Sequence, residues 1–315
     1  MQPLPLPQGL RAAAGLALTA LLLAACGTSA RRAGPVQTVA APTLHLRGGA
    51  PAHIAVIVME NEEYGDIIGS GHATPFIDTL AHRYALAQQM YATTHPSLPN
   101  YMALTGGSTF GIDSDCGDCR VSARGLPGQL AAAHVSWRAY MEDLPRACFT
   151  DDSAGGYAIK HDPFLHYDDV LHDPAQCARV VPLTRLSTDE RDGTLPRFVW
   201  ITPNLCYDMH DCDPTVGDAF LARTIPPLLE SLGPRGVLLL TWDEGTTDDG
   251  CCRLAAGGHI AAIVAGPGAR AHARMRTPAD QYSILQAIED LLGLDRLRGA
   301  ACACTPTLAP LFRSR

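Results

Sequence analysis

Two apolar runs of this sequence each end in a pair of polar residues with oxygen donors. Glu60 and Asn61 follow the first run, and Asp243 and Glu244 follow the second. Apolar runs of this length are typical of buried strands, and the carboxyl ends of parallel strands meet along one edge of an open sheet. Carboxylate and amide oxygens gathered there could hold a divalent cation. The alternative is that Asp243 and Glu244 are solvated loop acids after an edge strand.

Between the two runs lies a serine in a turn bounded by prolines. Ser97 stands between Pro96 and Pro99. A hydroxyl is a weak nucleophile unless a base, a metal ion or an electropositive helix end stabilises its alkoxide. Pro99 suits the first turn of a helix that Asn100 continues, so we predict Ser97 near a helix N-terminus, where backbone amides favour a phosphate. The alternative is that Ser97 only caps this helix. His95, two residues earlier, is expected to line the same pocket.

Strand-like and helix-like stretches alternate along the chain. This alternation predicts an α/β fold with a mostly parallel central sheet and helices on both faces. The predicted strands are 54–59, 135–140, 197–201, 236–242 and 259–265, and the predicted helices are 74–84, the stretch after Pro99, 126–134, 218–232 and 279–292.

The N-terminus has the features of an export signal. Residues 12–25 form an apolar run too short for a spanning helix, preceded by Arg11, so we predict a signal peptide over 1–25. Cys26 and the residues before it resemble a bacterial lipobox, which makes Cys26 the expected lipidation site and membrane anchor. An ordinary secretory signal is the alternative. Residues 26–50 read as a flexible tether, followed by one domain over 51–315.

Charge and cysteine content narrow the function classes. The net charge of −8 and the scarcity of clustered basic residues argue against a nucleic-acid surface. Apart from Cys26, ten cysteines remain, an even number that predicts disulfides in an exported chain. Free thiols are the alternative, and metal binding at Cys116 and Cys119 is disfavoured because no second pair with zinc spacing accompanies them.

Three motifs together resemble a known enzyme family. They are Met59-Glu60-Asn61, His95-Pro-Ser97-Leu-Pro-Asn100-Tyr and Trp242-Asp243-Glu244-Gly245. Their order and spacing are similar to those of the phosphoesterase family of secreted bacterial and fungal acid phosphatases, with its SapM-type branch, and more distantly of bacterial phospholipase C. The resemblance runs from about residue 52 to 294, and it implies an alkaline-phosphatase-like fold.

The resemblance also implies roles for individual residues. Glu60, Asn61, Asp243 and Glu244 would hold one divalent cation, with the Ser97 oxygen completing its ligands; such hard oxygen donors suit Ca²⁺ or Mg²⁺, while Zn²⁺ stays open. Asn100 would hydrogen-bond a phosphoryl oxygen.

Two histidines complete the site that the resemblance implies. His210 would contact the phosphate, with Asp208 or Asp211 orienting it. His259 would assist the leaving group, although it begins a predicted strand rather than following one, and a buried histidine bonded to a carbonyl is its alternative. His134, His161, His166 and His172 show no ligand-like partner by spacing.

These assignments describe a phosphomonoesterase that forms a phosphoserine on Ser97, with phosphoinositides among the substrates expected. If His210 and His259 act as charged groups, the pH optimum is acidic; a rate that rises steadily above pH 8 would reject this. A phospholipase C-like phosphodiesterase is the first alternative. The second is a non-catalytic envelope lipoprotein that binds a metal or a phosphorylated ligand.

Overall fold

The computed structural model of the protein describes residues 44–314 except residues 72, 253 and 254. The predicted signal peptide 1–25 and lipidation site Cys26 lie outside the described residues, as does most of the predicted tether 26–50. The described end of that tether is packed: Leu44 and Leu46 are buried, and the Leu44 amide donates to the Asp290 carboxylate over 2.8 Å. The folded structure therefore includes residues before position 50.

A central sheet organises the structure. Its strands run in the spatial order β10-β2-β9-β8-β1-β7-β3-β6, with β11 paired to β2, and a separate hairpin joins β4 to β5. The strands are β1 Ile54–Met59, β2 Ala85–Tyr91, β3 Trp137–Met141, β4 Ser153–Ala154, β5 Tyr157–Ala158, β6 Val180–Pro182, β7 Phe198–Thr202, β8 Val237–Trp242, β9 His259–Ala265, β10 Arg274–Met275 and β11 Ala279–Asp280.

Within the central sheet most of the strand pairs are parallel, and only the two pairs that involve β9 are antiparallel. The predicted fold class is confirmed. Every residue of β1 and β8 is buried, which requires cover on both faces of the sheet.

Helices provide this cover, with α2 packed against α8 and α3 packed against α9. The helices are α1 Tyr64–Ile67, α2 Pro75–Arg83, α3 Ser97–Gly106, α4 Leu126–Ala132, α5 Asp168–Leu171, α6 Pro174–Cys177, α7 Thr184–Asp192, α8 Pro214–Ser231 and α9 Gln281–Leu292, and short 3₁₀ segments cover Ile159–His161, Pro163–His166, Arg298–Ala301 and Ala309–Leu311. Within the described residues, no helix combines the length and apolarity needed to cross a bilayer.

The reversed direction of β9 explains the position of His259. Because β9 runs antiparallel to β8, its first residue lies at the edge where β8 ends. His259 pairs with Tyr91, the last residue of β2, so β2 also ends at this edge. The chain that leaves β2 leads directly to Ser97 at the start of α3. His259, which begins a strand, thus lies at the same edge of the sheet as the residues that follow β2 and β8.

Five disulfides lie in the loops and short elements around the sheet. They join Cys116 to Cys119, Cys148 to Cys177, Cys206 to Cys212, Cys251 to Cys252 and Cys302 to Cys304. All ten cysteines after Cys26 are therefore paired, as the sequence predicts. The Cys206–Cys212 bridge closes the loop that carries Asp208 and His210.

The loop after β8 closes tightly on the start of β9. The Gly245 amide donates to the Gly257 carbonyl over 2.8 Å. Gly258 has φ +96°, and a Cβ added there would lie 2.6 Å from the Gly245 Cα. Gly293, which ends α9 with φ +72°, has open space around the same position.

We expect Gly258→Ala to destabilise the protein more than Gly293→Ala. Both replacements meet the backbone strain of positive φ, roughly 1–2 kcal/mol, but the first adds a clash, and overpacking costs about 1–3 kcal/mol more. The measurement is the free energy of unfolding from denaturant titrations of both variants. Equal losses would show that the loop moves aside freely.

Candidate metal and nucleophile site

The pairing register of β1 and β8 places two of the predicted acids side by side. Met59 pairs with Trp242 at the end of the two strands, so Glu60 and Asp243 leave neighbouring strands at the same level. The Asp243 amide donates to the Met59 carbonyl over 2.8 Å, and the Glu60 amide donates to the Asp208 carbonyl over 2.8 Å. Backbone hydrogen bonds thus carry the sheet pattern one residue past the strands and fix Glu60, Asp208 and Asp243 together.

The serine lies against this group of acids. The Ser97 hydroxyl donates to Glu60 Oε2 over 3.1 Å, and Ser97 is 1% exposed. Ser97 is the first residue of α3, which has no side-chain cap, so capping does not describe its role. One turn later, the Tyr101 hydroxyl donates to Glu60 Oε1 in a short hydrogen bond. Both oxygens of Glu60 therefore face groups of the same helix.

A buried histidine completes a cluster that could hold a metal ion. One ligand atom from each of Glu60, His161 and Asp208 lies within 4.8 Å of the others. His161 Nε2 is 3.3 Å from Glu60 Oε2, and Nδ1 is 3.3 Å from Asp208 Oδ2. His161, for which spacing predicted no partner, thus lies between two acids, and that expectation is wrong. Along the sequence it lies far from Glu60 and Asp243, in a 3₁₀ segment, so no periodic pattern marks it.

Several buried side-chain oxygen and nitrogen atoms in and around this cluster lack a hydrogen-bond partner. Within the described residues they include Asn61 Oδ1, His161 Nε2, Asp208 Oδ2 and Asp243 Oδ2. A buried polar atom without a partner is costly, and a cation would satisfy such atoms together. Two carboxylates and an imidazole form a mixed oxygen and nitrogen donor set, which suits transition metals as well as Mg²⁺. The residues present therefore fit a divalent metal.

Burial and mutual repulsion shift the protonation of these groups. Burial, with the charges of Asp243 and Asp208, raises the pKa of Glu60 well above its usual range. Burial and neighbouring acids raise the pKa of Asp208 to about 8 and that of Asp243 to about 7. Burial, with the charges of Lys160 and His210, lowers the pKa of His161, which favours the neutral imidazole that a metal ligand requires.

Glu244 points toward a different group. Glu244 Oε2 lies 2.8 Å from His95 Nδ1 and 3.4 Å from Asn100 Nδ2. His95 Nε2 lies 3.0 Å from the Thr247 carbonyl, so both ring nitrogens face acceptors. Although burial alone would lower it, these hydrogen bonds raise the pKa of His95. A positively charged His95 thus fits this position best.

Asn100 holds the turn that precedes Ser97. Its Oδ1 accepts from the Thr94 amide over 2.9 Å, and its Nδ2 donates to the carbonyls of Thr94 and Pro96 over 2.7 and 3.1 Å. These bonds satisfy the side chain within the protein. The structure therefore shows Asn100 shaping the serine turn, while the predicted contact with a phosphoryl oxygen stays a prediction.

His210 faces a lysine. Its Nε2 lies 3.2 Å from Lys160 Nζ, and its Nδ1 lies 2.7 Å from Asp211 Oδ1. Its backbone amide donates to Asp208 Oδ1 over 2.8 Å. Asp211 therefore orients the His210 ring, whereas Asp208 belongs to the acid cluster and holds only the His210 backbone.

His259 lies in an aromatic stack at the same edge. Its ring lies 4.6 Å from the ring of Tyr64 and 5.0 Å from that of Tyr91, centroid to centroid. Its Nε2 is 2.9 Å from the Gln88 carbonyl, and its amide donates to Glu63 over 3.2 Å. This is the carbonyl-bonded arrangement named above as the alternative.

Sequence reasoning missed Tyr101 and Lys160 as well as His161. Tyr101 follows Ser97 by four residues, and that spacing places both on one helix face, so the helical prediction contains the signal. Lys160 and His161 have no such mark. Their placement depends on how the chain between β5 and α5 folds over the sheet edge.

Solved structures align with this fold over most of the chain. A protein of the alkaline phosphatase superfamily from Vibrio parahaemolyticus aligns with a TM-score of 0.56 and 12% identity, over 82% of this chain and 72% of that one. The lipoteichoic acid synthase LtaP of Listeria monocytogenes aligns with a TM-score of 0.55 and 12% identity, over 85% and 80%. At these identities the likeness concerns the fold, and it is the fold predicted.

Relatives at higher identity are phosphatases by name. The phosphatidylinositol-3-phosphatase of Mycobacterium tuberculosis is 34% identical over 252 residues, which cover 78% of each chain. The phosphate-repressible acid phosphatase of Penicillium chrysogenum is 28% identical over 74% of this chain and 60% of its own. The acid phosphatase of Aspergillus fumigatus is 30% identical over 65% and 47%, so this chain spans about half to three-fifths of these two fungal relatives.

A family model matches most of the sequence. The model of the phosphoesterase family matches residues 70–295. The predicted family and the predicted enzyme class, a hydrolase of phosphoric ester bonds, are confirmed by this match and by the named relatives. With its alkaline-phosphatase-like fold and its serine beside a cluster of buried metal-type ligands, the chain belongs to the phosphoesterase family.

Proposed function

We propose that the protein is an exported, metal-dependent phosphomonoesterase of the acid phosphatase type that works through a phosphoserine on Ser97. The observation that carries the proposal is the Ser97 hydroxyl directed at Glu60 within the cluster of Glu60, His161 and Asp208. The name of the Mycobacterium tuberculosis relative supports phosphoinositides as one substrate class.

One divalent cation belongs to this proposal. Glu60, His161 and Asp208 would hold it, with Asn61 and Asp243 as further oxygen donors. When bound, it would supply Lewis acidity that lowers the pKa of the serine hydroxyl and offsets charge on the phosphoryl oxygens. Because His161 is one of these ligands, Zn²⁺ or Mn²⁺ is as suitable as the Mg²⁺ expected from oxygen donors alone. The set is less suited to Ca²⁺, which prefers oxygen ligands.

The residues of the chain account for the proton transfers. In the first step the Ser97 oxygen bonds to phosphorus and its proton passes to Glu60 Oε2, the acceptor 3.1 Å away. The ester bond breaks, and the leaving oxygen takes a proton from His95. We favour His95 over His210 and His259 as this acid, because both of its ring nitrogens face acceptors that support the charged form.

The second step reverses these transfers. Water attacks phosphorus while neutral His95 accepts a proton from it, the bond from phosphorus to Ser97 breaks, and the serine oxygen recovers its proton from Glu60. Phosphate is released and the starting protonation state returns. Each residue thus acts once in each direction, as reversible acid and base catalysis requires.

Export is supported by the redox state of the cysteines. Five disulfides among the described residues fit an oxidising compartment. We therefore propose secretion or anchoring in the cell envelope through the predicted signal peptide and Cys26.

Ser97→Ala should lower the hydrolysis of p-nitrophenyl phosphate more than about 10³-fold, because the proposed phosphoserine forms on the Ser97 oxygen. In the unmodified protein, acid quenching during turnover should trap phosphate on the peptide that contains Ser97, as mass spectrometry would detect. Ser187→Ala, on the exposed side of α7, is the matched control and should keep full activity. Full activity of Ser97→Ala would refute the mechanism.

His95→Gln should harm substrates with poor leaving groups most. Loss of a general acid costs about 10²–10⁴-fold where the leaving oxygen needs a proton, so glycerol phosphate hydrolysis should fall by that factor. p-Nitrophenyl phosphate, whose leaving group departs as a stable anion, should lose far less. With the alkyl ester, the rate of the unmodified enzyme should decline as the pH rises through the raised pKa of His95. An equal loss on both esters would assign His95 another role.

The metal-free protein should become less stable as the pH rises. Glu60, Asp208 and Asp243 have raised pKa values in the folded state, so the folded state binds more protons than the unfolded chain between about pH 4 and pH 8, and stability falls across that window. The measurement is the melting temperature of chelated protein at pH 5 and pH 8.

Adding Zn²⁺, Mn²⁺ or Mg²⁺ singly should restore stability, most strongly at pH 8, because cation and protons compete for the same carboxylates. His161→Ala should require a higher cation concentration for the same rise, while His172→Ala, on an exposed helix end, should match the unmodified protein. Chelated protein that is more stable at pH 8 than at pH 5 would contradict this account of the acids.

A further inference from the structure

Lys160 occupies a position beside the cluster that no sequence signal marks. It is the sole lysine of the chain and directly precedes His161 in the 3₁₀ segment Ile159–His161. Its side chain is 22% exposed, so it is neither sealed in the core nor free in solvent. That partial exposure lets a ligand approach from outside.

Two contacts fix the ammonium group. Lys160 Nζ lies 3.0 Å from Asp115 Oδ2 and 3.2 Å from His210 Nε2. His210 Nδ1 is 2.7 Å from Asp211 Oδ1, so Nδ1 donates to that carboxylate and Nε2 faces the lysine as acceptor. An ammonium group has three donors. Among the described residues these two partners account for two of them.

Asp115 ties the lysine to the nucleophile helix. Its Oδ1 accepts from the Leu98 amide over 2.9 Å, while its Oδ2 contacts Lys160. Leu98 directly follows Ser97. The Asp115 carboxylate therefore occupies the Leu98 amide in the first turn of α3 and holds the Lys160 ammonium group at the same helix end.

The charge of Lys160 reaches the acids of the site. It lowers the pKa of Asp208 and of Glu244 against the raising effect of burial, and the charges of Glu60 and Asp243 contribute to the raised pKa of Lys160, which burial alone would lower. Among the described residues, which exclude Arg253, no observed pair of an arginine and a carboxylate involves these acids. Lys160 is thus a cation that acts on the site, beside the His95 ring at Glu244.

We propose that Lys160, positioned by Asp115 and His210, donates its third N–H to a terminal phosphoryl oxygen and thereby selects monoester dianions over diesters. This inference rests on the proposed function and names the residue that decides its substrate class. A monoester has one more charged oxygen than a diester, and a point charge with a spare donor rewards that oxygen selectively. In a diester the same oxygen carries a second ester arm and offers the ammonium group less charge.

The test compares Lys160→Met with Lys160→Arg on two esters. Lys160→Met should lower kcat/KM for p-nitrophenyl phosphate about 10- to 100-fold, the usual effect of one hydrogen bond to a charged group. It should change kcat/KM for bis(p-nitrophenyl) phosphate less than about threefold, so the ratio of the two falls. Lys160→Arg keeps the charge and should recover part of the ratio. Arg191→Met removes an exposed positive charge on α7 and should leave the ratio unchanged.

Binding of inorganic phosphate gives a readout that does not depend on turnover. With a saturating divalent cation, the Kd for phosphate should rise about tenfold or more in Lys160→Met, while cation content and melting temperature match those of the unmodified protein. Unchanged phosphate affinity, or equal losses on both esters, would overturn the role of Lys160. If the unmodified protein hydrolyses neither ester with any cation, the proposed function fails, and the phosphate measurement still decides whether Lys160 binds phosphate.

Discussion

Three buried carboxylates held together without enough positive charge are the constraint on which the rest of the structure depends. Glu60, Asp208 and Asp243 would repel one another if all were ionised, and removing each charge from water costs several kcal/mol. Stability of the core does not require such a group, since apolar side chains in the same space would be more favourable. The arrangement fits a site for a cation, and the surrounding sheet must supply the stability that the site itself lacks.

The sheet supplies it through strands that are buried along their whole length. β1 and β8 contribute twelve residues without an exposed one, and backbone hydrogen bonds continue from them to Glu60 and Asp243. The ligand atoms therefore inherit the rigidity of the core, which is what a preorganised site requires. Glu60 and Asp243 directly follow these strands, whereas Asp208 lies in a loop and His161 in a 3₁₀ segment that complete the group.

The sequence predicts those site residues and elements that a local pattern marks. Glu60 and Asp243 were predictable because each directly follows an apolar run, and the pairing of β1 with β8 brings the two together. His161 was not, because a short 3₁₀ segment has no period and its position depends on tertiary packing. β2 was missed since Ala85-Leu-Ala-Gln-Gln-Met-Tyr91 has little of the β-branched character typical of strands. α7 was missed because its nine residues include a single apolar side chain, Leu186. The edge rule failed for His259 only because it assumes that every strand runs in the same direction.

The disulfides carry a consequence for how the chain reaches this structure. Four of the five bridges join residues at most six positions apart, and the fifth spans 29 positions. Small rings remove little freedom from an unfolded chain, and no strand of the sheet is fastened to another by these links. Thiol oxidation can then accompany or follow assembly of the sheet without directing it. The bridges restrict individual loops, while the buried apolar strands determine the topology.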